Sequence, residues 1–183
     1  MYDLIFKIVI FGDAGVGKTS LFNRFINDEF EPDPGKTIGV DFESKVLELD
    51  GKEIKLLIGD FAAEKKYRFM FPHYIYGAVG GILLFDLTNY SSFSHIIDWI
   101  FVLERTKRRF PILLLGSKYD LYESRKVSWD EGVELTEAIG LDGFGECSSK
   151  TGQNVEEAFT ELTKLIVNQT IINKPKIQSI SVS

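Results

Sequence analysis

The chain has a single cysteine, Cys147, so no disulfide can close within it, and such usage suits a reducing compartment. It has no long apolar run. Leu4–Phe11 is interrupted by Lys7 and is far shorter than the roughly 20 residues of a spanning helix. No basic stretch followed by a long apolar one opens the sequence, and residue 2 is Tyr. Neither a secretory leader nor N-terminal myristoylation is therefore expected. Asn168-Gln169-Thr170 has the pattern of a glycosylation sequon, but without a leader it reads as ordinary sequence. A surplus of positive charge is missing too. The net charge is −6, which argues against a general nucleic-acid binder with a broad basic surface. Histidine is scarce, and the two present, His73 and His95, are isolated and read as ordinary surface or core residues. The cytoplasm is the expected location.

What is present is an ordinary globular mix, 44% apolar and 26% charged, in 183 residues. That is near the length of one domain, and such a domain buries about 70% of its unfolded surface. Leu4–Phe11, Gly81–Phe85 and Ile112–Leu115 are near-continuous apolar stretches, as parallel strands covered on both faces require. Gly143–Cys147 reads as a further, less hydrophobic strand. Val40–Leu49 and Glu53–Ile58 flank Asp50-Gly51, a strong hairpin signal, and add one antiparallel pair. Helices are expected over Lys18–Asn27, Ser91–Arg108, Ser128–Ile139 and Asn154–Asn168; in the last, Val155, Phe159, Leu162 and Ile166 recur at three- and four-residue steps. Strands alternating with helices predict a three-layer α/β domain over 1–168. Residues 169–183 lose the helical period, carry Pro175 and read as a loose polar tail.

Gly12-Asp13-Ala14-Gly15-Val16-Gly17-Lys18-Thr19 fits the phosphate-loop pattern, and it follows an expected strand and opens an expected helix. Glycines let successive backbone N–H groups turn onto phosphate oxygens. The helix N-terminus adds positive potential. Lys18 supplies a point charge to the outer phosphates, and the Thr19 hydroxyl can coordinate Mg²⁺. Four further segments follow in order. They are Lys36-Thr37-Ile38-Gly39-Val40-Asp41-Phe42, Asp60-Phe61-Ala62-Ala63-Glu64, Gly116-Ser117-Lys118-Tyr119-Asp120 and Glu146-Cys147-Ser148-Ser149-Lys150. The last three fall at the C-terminal ends of strands, where ligands bind in open α/β sheets.

With these segments, and with Ser20-Leu21-Phe22-Asn23-Arg24-Phe25 after the phosphate loop, the chain resembles a Ras-superfamily small GTPase, most of all the Rab branch, from about Leu4 to Ile166. The resemblance implies a small G domain of the P-loop NTPase class: six strands, mostly parallel with one antiparallel, and about five helices. It implies GTP and GDP as bound nucleotides and Mg²⁺ as cofactor. By it, Asp13, Ala14, Gly15, Val16, Gly17, Lys18, Thr19 and Ser20 surround the phosphates, and Thr37 holds Mg²⁺ and senses the γ-phosphate. Asp60 orients a metal-bound water, and Phe30 packs an aromatic edge against guanine. Ser117 and Lys118 belong to the base loop, Asp120 reads the base, and Ser148, Ser149 and Lys150 form the last base-binding loop. The catalytic set implied is Glu64, Thr37 and Lys18, with Ala63 beside the γ-phosphate. Effector, exchange-factor and GTPase-activating partners are implied at residues 30–45 and 59–76. Chemistry favours guanine independently, because a carboxylate only accepts hydrogen bonds and guanine offers two donors, N1–H and the 2-amino group.

The second switch departs from the family pattern Trp-Asp-Thr-Ala-Gly-Gln-Glu, reading Gly59-Asp60-Phe61-Ala62-Ala63-Glu64-Lys65. Ala63 replaces a glycine and restricts the backbone. Glu64 replaces the glutamine that orients the attacking water; ionised, it donates no hydrogen bond and adds negative charge at an anionic centre. Slow hydrolysis is the expectation, with a GTP-binding scaffold of negligible hydrolysis as the alternative. Gly59 replaces a tryptophan that would join Phe42 and Tyr74 in a partner-facing patch, so ordinary Rab partners should bind weakly. Ser117 replaces the asparagine that ties the base loop to the phosphate loop, which puts nucleotide affinity in doubt. The sequence ends Ile-Ser-Val-Ser without the cysteine that prenylation needs, leaving peripheral membrane association open.

Two other features carry expectations. Lys107-Arg108-Arg109 reads as a basic helix end, and Phe61, Phe69 and Phe71 crowd the second switch as a contact patch. One rival assignment remains. Gly81–Asp86 is an apolar strand ending in an acid, and a P-loop ATPase or kinase would use Asp86 for its metal.

Overall fold

The computed structural model describes residues 2–35, 40–61 and 69–172. Thr37, Ala63 and Glu64 lie outside them. The elements run β1 (Leu4–Gly12), α1 (Lys18–Asn27), β2 (Val40–Leu49), β3 (Lys52–Phe61), α2 (Phe71–Tyr74), β4 (Gly80–Asp86), α3 (Tyr90–Ser94), α4 (Ile96–Glu104), β5 (Ile112–Ser117), α5 (Trp129–Ile139), β6 (Gly143–Glu146) and α6 (Val155–Ile172). The six strands lie in the order β2-β3-β1-β4-β5-β6. Only β2 and β3 pair antiparallel, as the Asp50-Gly51 turn requires; Asp50 and Gly51 both have positive φ, at 52° and 73°.

Side chains alternate across each strand, so β1 feeds two cores. Phe6, Ile8 and Ile10 face one side, where α1 and α6 contribute Leu21, Phe25 and Phe159. Val9 and Phe11 face the other, with Phe61, Phe71, Phe85 and Trp99. All seven residues of β4 are buried, consistent with a central parallel strand covered on both faces. Helices on both faces give the three layers expected.

The described residues hold six helices, two more than the four read along the sequence. One added helix is the short α2. The other arises because the expected helix Ser91–Arg108 is divided at His95, whose backbone (φ −80°, ψ −2°) ends α3 before α4 begins. Since α4 ends at Glu104, Lys107-Arg108-Arg109 lies outside it; Lys107 has φ 56°, and the Arg108 guanidinium stacks over the Tyr76 ring at 4.7 Å. α6 runs on to Ile172, four residues past the end its period marks. The phenylalanine patch is mostly interior: Phe61 and Phe71 are buried, and only Phe69 is exposed.

Candidate nucleotide site

Parallel pairing brings the phosphate loop and the metal-side carboxylate to one edge. In the register of β1 and β3, Asp60 lies opposite Ile10, two residues before the loop begins at Gly12. Thr19, in the first turn of α1, donates its hydroxyl hydrogen bond to Asp60 Oδ2 at 2.6 Å. Gly12 turns with φ 140°, and a Cβ there would lie 2.1 Å from the Leu84 carbonyl oxygen, so the chain can leave β1 here only as glycine. Gly17 caps α1 in the left-handed conformation. The N-terminus of a ten-residue helix therefore opens at the loop. Val16 is buried in the core, anchoring the loop, while Ala14 and Gly15 are exposed at its tip. Lys18 is buried and donates from Nζ to the Asp13 carbonyl at 2.7 Å, folding its ammonium across the loop.

Thr19 and Asp60 together offer hard oxygen donors, a hydroxyl and a buried carboxylate. That set fits Mg²⁺, which takes one or two protein ligands and completes its shell with water and phosphate oxygens. Asp86, the rival metal acid, is engaged elsewhere: Lys118 Nζ lies 2.7 Å from Oδ2, and Thr88 donates to Oδ1 from its backbone N–H at 2.8 Å and its hydroxyl at 2.7 Å.

The base side is assembled by β5 and β6. Ser117 ends β5 opposite Asp86. Lys118 follows with φ 62°, an uncommon conformation for a side-chain-bearing residue. Asp120 Oδ1 accepts from Ser148 Oγ at 2.6 Å, so one carboxylate oxygen is oriented by the loop after β6. A cleft of about 500 Å³ runs from Gly15, Gly17, Thr19 and Ser20 to Phe30, Ser117, Lys118, Asp120, Ser149 and Lys150. Asp13, Ala14, Val16, Lys18, Asp60 and Ser148 lie beneath or beside it.

Ser117 bridges the gap that its shorter side chain was expected to leave. Its Oγ lies 2.6 Å from the Val16 carbonyl and 2.9 Å from that of Phe85, and its one proton serves either. The base loop is thus tied to the phosphate loop by a hydroxyl. Gly59 pairs with Phe42, and the Phe42 ring lies where a side chain at 59 would begin, 2.8 Å from the position of a Cβ. Tyr74 packs on Phe61, with ring centroids 4.9 Å apart.

Some contacts were not visible in the sequence. His95 Nδ1 lies 2.6 Å from Asp13 Oδ2, and Trp99 Nε1 donates to Asp13 Oδ1 at 2.9 Å, so α4 grips the phosphate loop through its carboxylate. His95 is therefore no bystander. Arg24 on α1 donates to the carbonyls of Ser149 and Lys150. Glu146, paired with Arg125, has its carboxyl pushed up by burial, which outweighs the opposing guanidinium. Burial, with the negative Asp120 and Glu146 nearby, pushes the Cys147 thiol up to about 12 and leaves it inert beside the base loop.

The model of the Ras family matches residues 7–168. GTP-binding protein ypt2 of Schizosaccharomyces pombe is 40% identical over 171 residues, 93% of this chain and 85% of the relative. Ras-related protein Rab-8B of Homo sapiens is 41% identical over 169 residues, 92% and 81% of the two chains. Ras-related protein SEC4 of Saccharomyces cerevisiae is 40% identical over 174 residues, 94% and 80%. The family match spans the phosphate loop and all the base-side segments, and the chain belongs to the Ras family as a Rab-like member.

Proposed function

We propose that this chain is a Rab-type guanine-nucleotide switch acting in membrane traffic, hydrolysing GTP slowly. The observation that carries the base assignment is Asp120, held by Ser148 in a cleft continuous with the phosphate loop. Asp120 accepts from N1–H and the 2-amino group of guanine. Phe30 and Lys118 bound the base, and the backbone of Ser149 and Lys150 closes over it. Lys18 and the N–H groups of residues 13–19 hold the phosphates. Thr19, Thr37 and, through water, Asp60 would hold Mg²⁺, which would supply positive charge to the outer phosphates.

Glu64, Thr37 and Lys18 are assigned to the hydrolytic step. Glu64 puts a carboxyl where the family has a glutamine; as a carboxylate it repels the charge that develops on the γ-phosphate, and Lys18 and Thr37 work against it. Ala63 stands where the family has a glycine, and alanine has fewer backbone conformations open to it. These two residues also favour a second reading, a GTP-binding scaffold with negligible turnover. Regulators and effectors dock on residues 30–45 and 59–76, on a surface changed by Gly59. The switch domain occupies 1–168, and of the 169–183 tail the first four residues continue α6 to Ile172. Among the described residues no helix is long and apolar enough to cross a membrane.

Competition titration tests the base assignment. GTP and GDP should displace a fluorescent GDP analogue and ATP should not. Asp120→Asn should shift preference toward xanthine nucleotides, whose base presents an acceptor where guanine presents a donor. ATP competing as well as GTP would refute the assignment.

A further inference from the structure

Arg24 sits on α1 outside the phosphate loop, and its guanidinium holds the backbone of two residues that line the cleft, Ser149 and Lys150, together with the α1 cap at Asp28. Nε donates to the Ser149 carbonyl at 2.7 Å, and Nη2 to the Lys150 carbonyl at 3.0 Å. Nη1 donates to the Asp28 carbonyl and to Asp28 Oδ1, each at 2.9 Å. Asp28 is the C-cap of α1 in the left-handed conformation, and its N–H returns a bond to the Arg24 carbonyl. Two residues beyond Asp28 lies Phe30, on the opposite side of the loop cluster in sequence but lining the same cleft as Ser149 and Lys150. The Arg24 side chain is largely buried, 16% exposed; its bond to the Ser149 carbonyl is partly shielded from water, while those to Lys150 and Asp28 lie at the surface.

We infer that Arg24 is a positioning residue for nucleotide recognition, a strut that fixes the Phe30 side and the Ser149–Lys150 side of the base site to one another and to the helix that starts at the phosphates. The inference rests on the guanine reading above. The three backbone carbonyls lie on segments more than 100 residues apart in sequence, between Asp28 and Ser149. A planar fork with fixed donor directions can serve all of them at once; an ammonium cannot. The strut also bears on Asp120. Ser148, which orients the Asp120 carboxylate, directly precedes the carbonyl that Arg24 holds, so freeing the loop loosens the aim of the group that reads the 2-amino position.

The test measures release of GDP and of IDP, which lacks that 2-amino group, from the full chain and from Arg24→Lys and Arg24→Ala. Both variants should release GDP at least about tenfold faster, equivalent to roughly 1.4 kcal/mol. The preference for GDP over IDP should contract, and lysine should not rescue despite keeping charge and stem. If Arg24→Ala does not fold, Arg24→Lys carries the test alone. Unchanged GDP release in a folded variant overturns the inference. So does an equal acceleration for GDP and IDP, which marks a structural role only. Failure of the underlying reading shows separately, as a wild type that binds ADP as well as GDP.

Discussion

Ser117 illustrates how a single hydroxyl can stand in for a larger polar side chain when the backbone is close enough. At 2.6 Å from the Val16 carbonyl and almost wholly buried, it is the direct tie between the base and phosphate loops. Ser117→Ala removes the one donor that the Val16 and Phe85 carbonyls share, a loss of about 1–3 kcal/mol. We expect a lower urea midpoint and faster GDP release; wild-type values for both would show that the tie carries no load. The residue types of the phosphate and base loops could be read from sequence because each local string carries its own chemistry. His95 and Arg24 could not. His95 meets Asp13 across 82 residues, and Arg24 meets Ser149 across 125, so no local pattern marks either contact. The Ser117 contact spans 101 residues, and side-chain length alone did not reveal how near the two loops come.

Helices α1 and α6 join the nucleotide edge to the body of the fold. Phe25 and Phe159 stack with centroids 3.7 Å apart and planes 11° apart, and both are fully buried. Phe159→Ala should cost about 3–5 kcal/mol, seen as a lowered urea midpoint with the slope retained. A loss under about 1 kcal/mol would mean that the neighbouring side chains collapse into the space. α1 and α5 were legible because burial enforces their period, and β2 because the Asp50-Gly51 turn marks its end: α1 and β2 have the bounds expected, and α5 begins one residue after its N-cap, Ser128. The division at His95 was not, since the apolar spacing of Phe93, Ile96, Trp99 and Leu103 continues across it. Nor was the true end of α4, where the basic run looks like a helix terminus and instead stacks on Tyr76.

At the scale of the whole molecule, parallel pairing brings the C-terminal ends of β1, β3, β5 and β6 to one edge, and the proposed slow hydrolysis there turns on Ala63 and Glu64. Single-turnover GTP hydrolysis should be slow in the wild type. Glu64→Gln restores a donor and removes a charge, so it should recover part of the rate. Adding Ala63→Gly should recover more. A fast wild type that slows on Glu64→Gln would mean that the carboxylate acts productively. The three-layer plan was legible in full because apolar strands and amphipathic helices alternate; the added turns at α2 and His95 were not, because neither has a period long enough to recognise.

The central claim is that this phosphate loop serves a guanine nucleotide, and the nucleotide that stays with the protein through purification tests it most directly. Protein purified in the presence of Mg²⁺, denatured and analysed by ion-exchange chromatography should release GDP or GTP in near-stoichiometric amount. Adenine nucleotide in that amount would contradict the account.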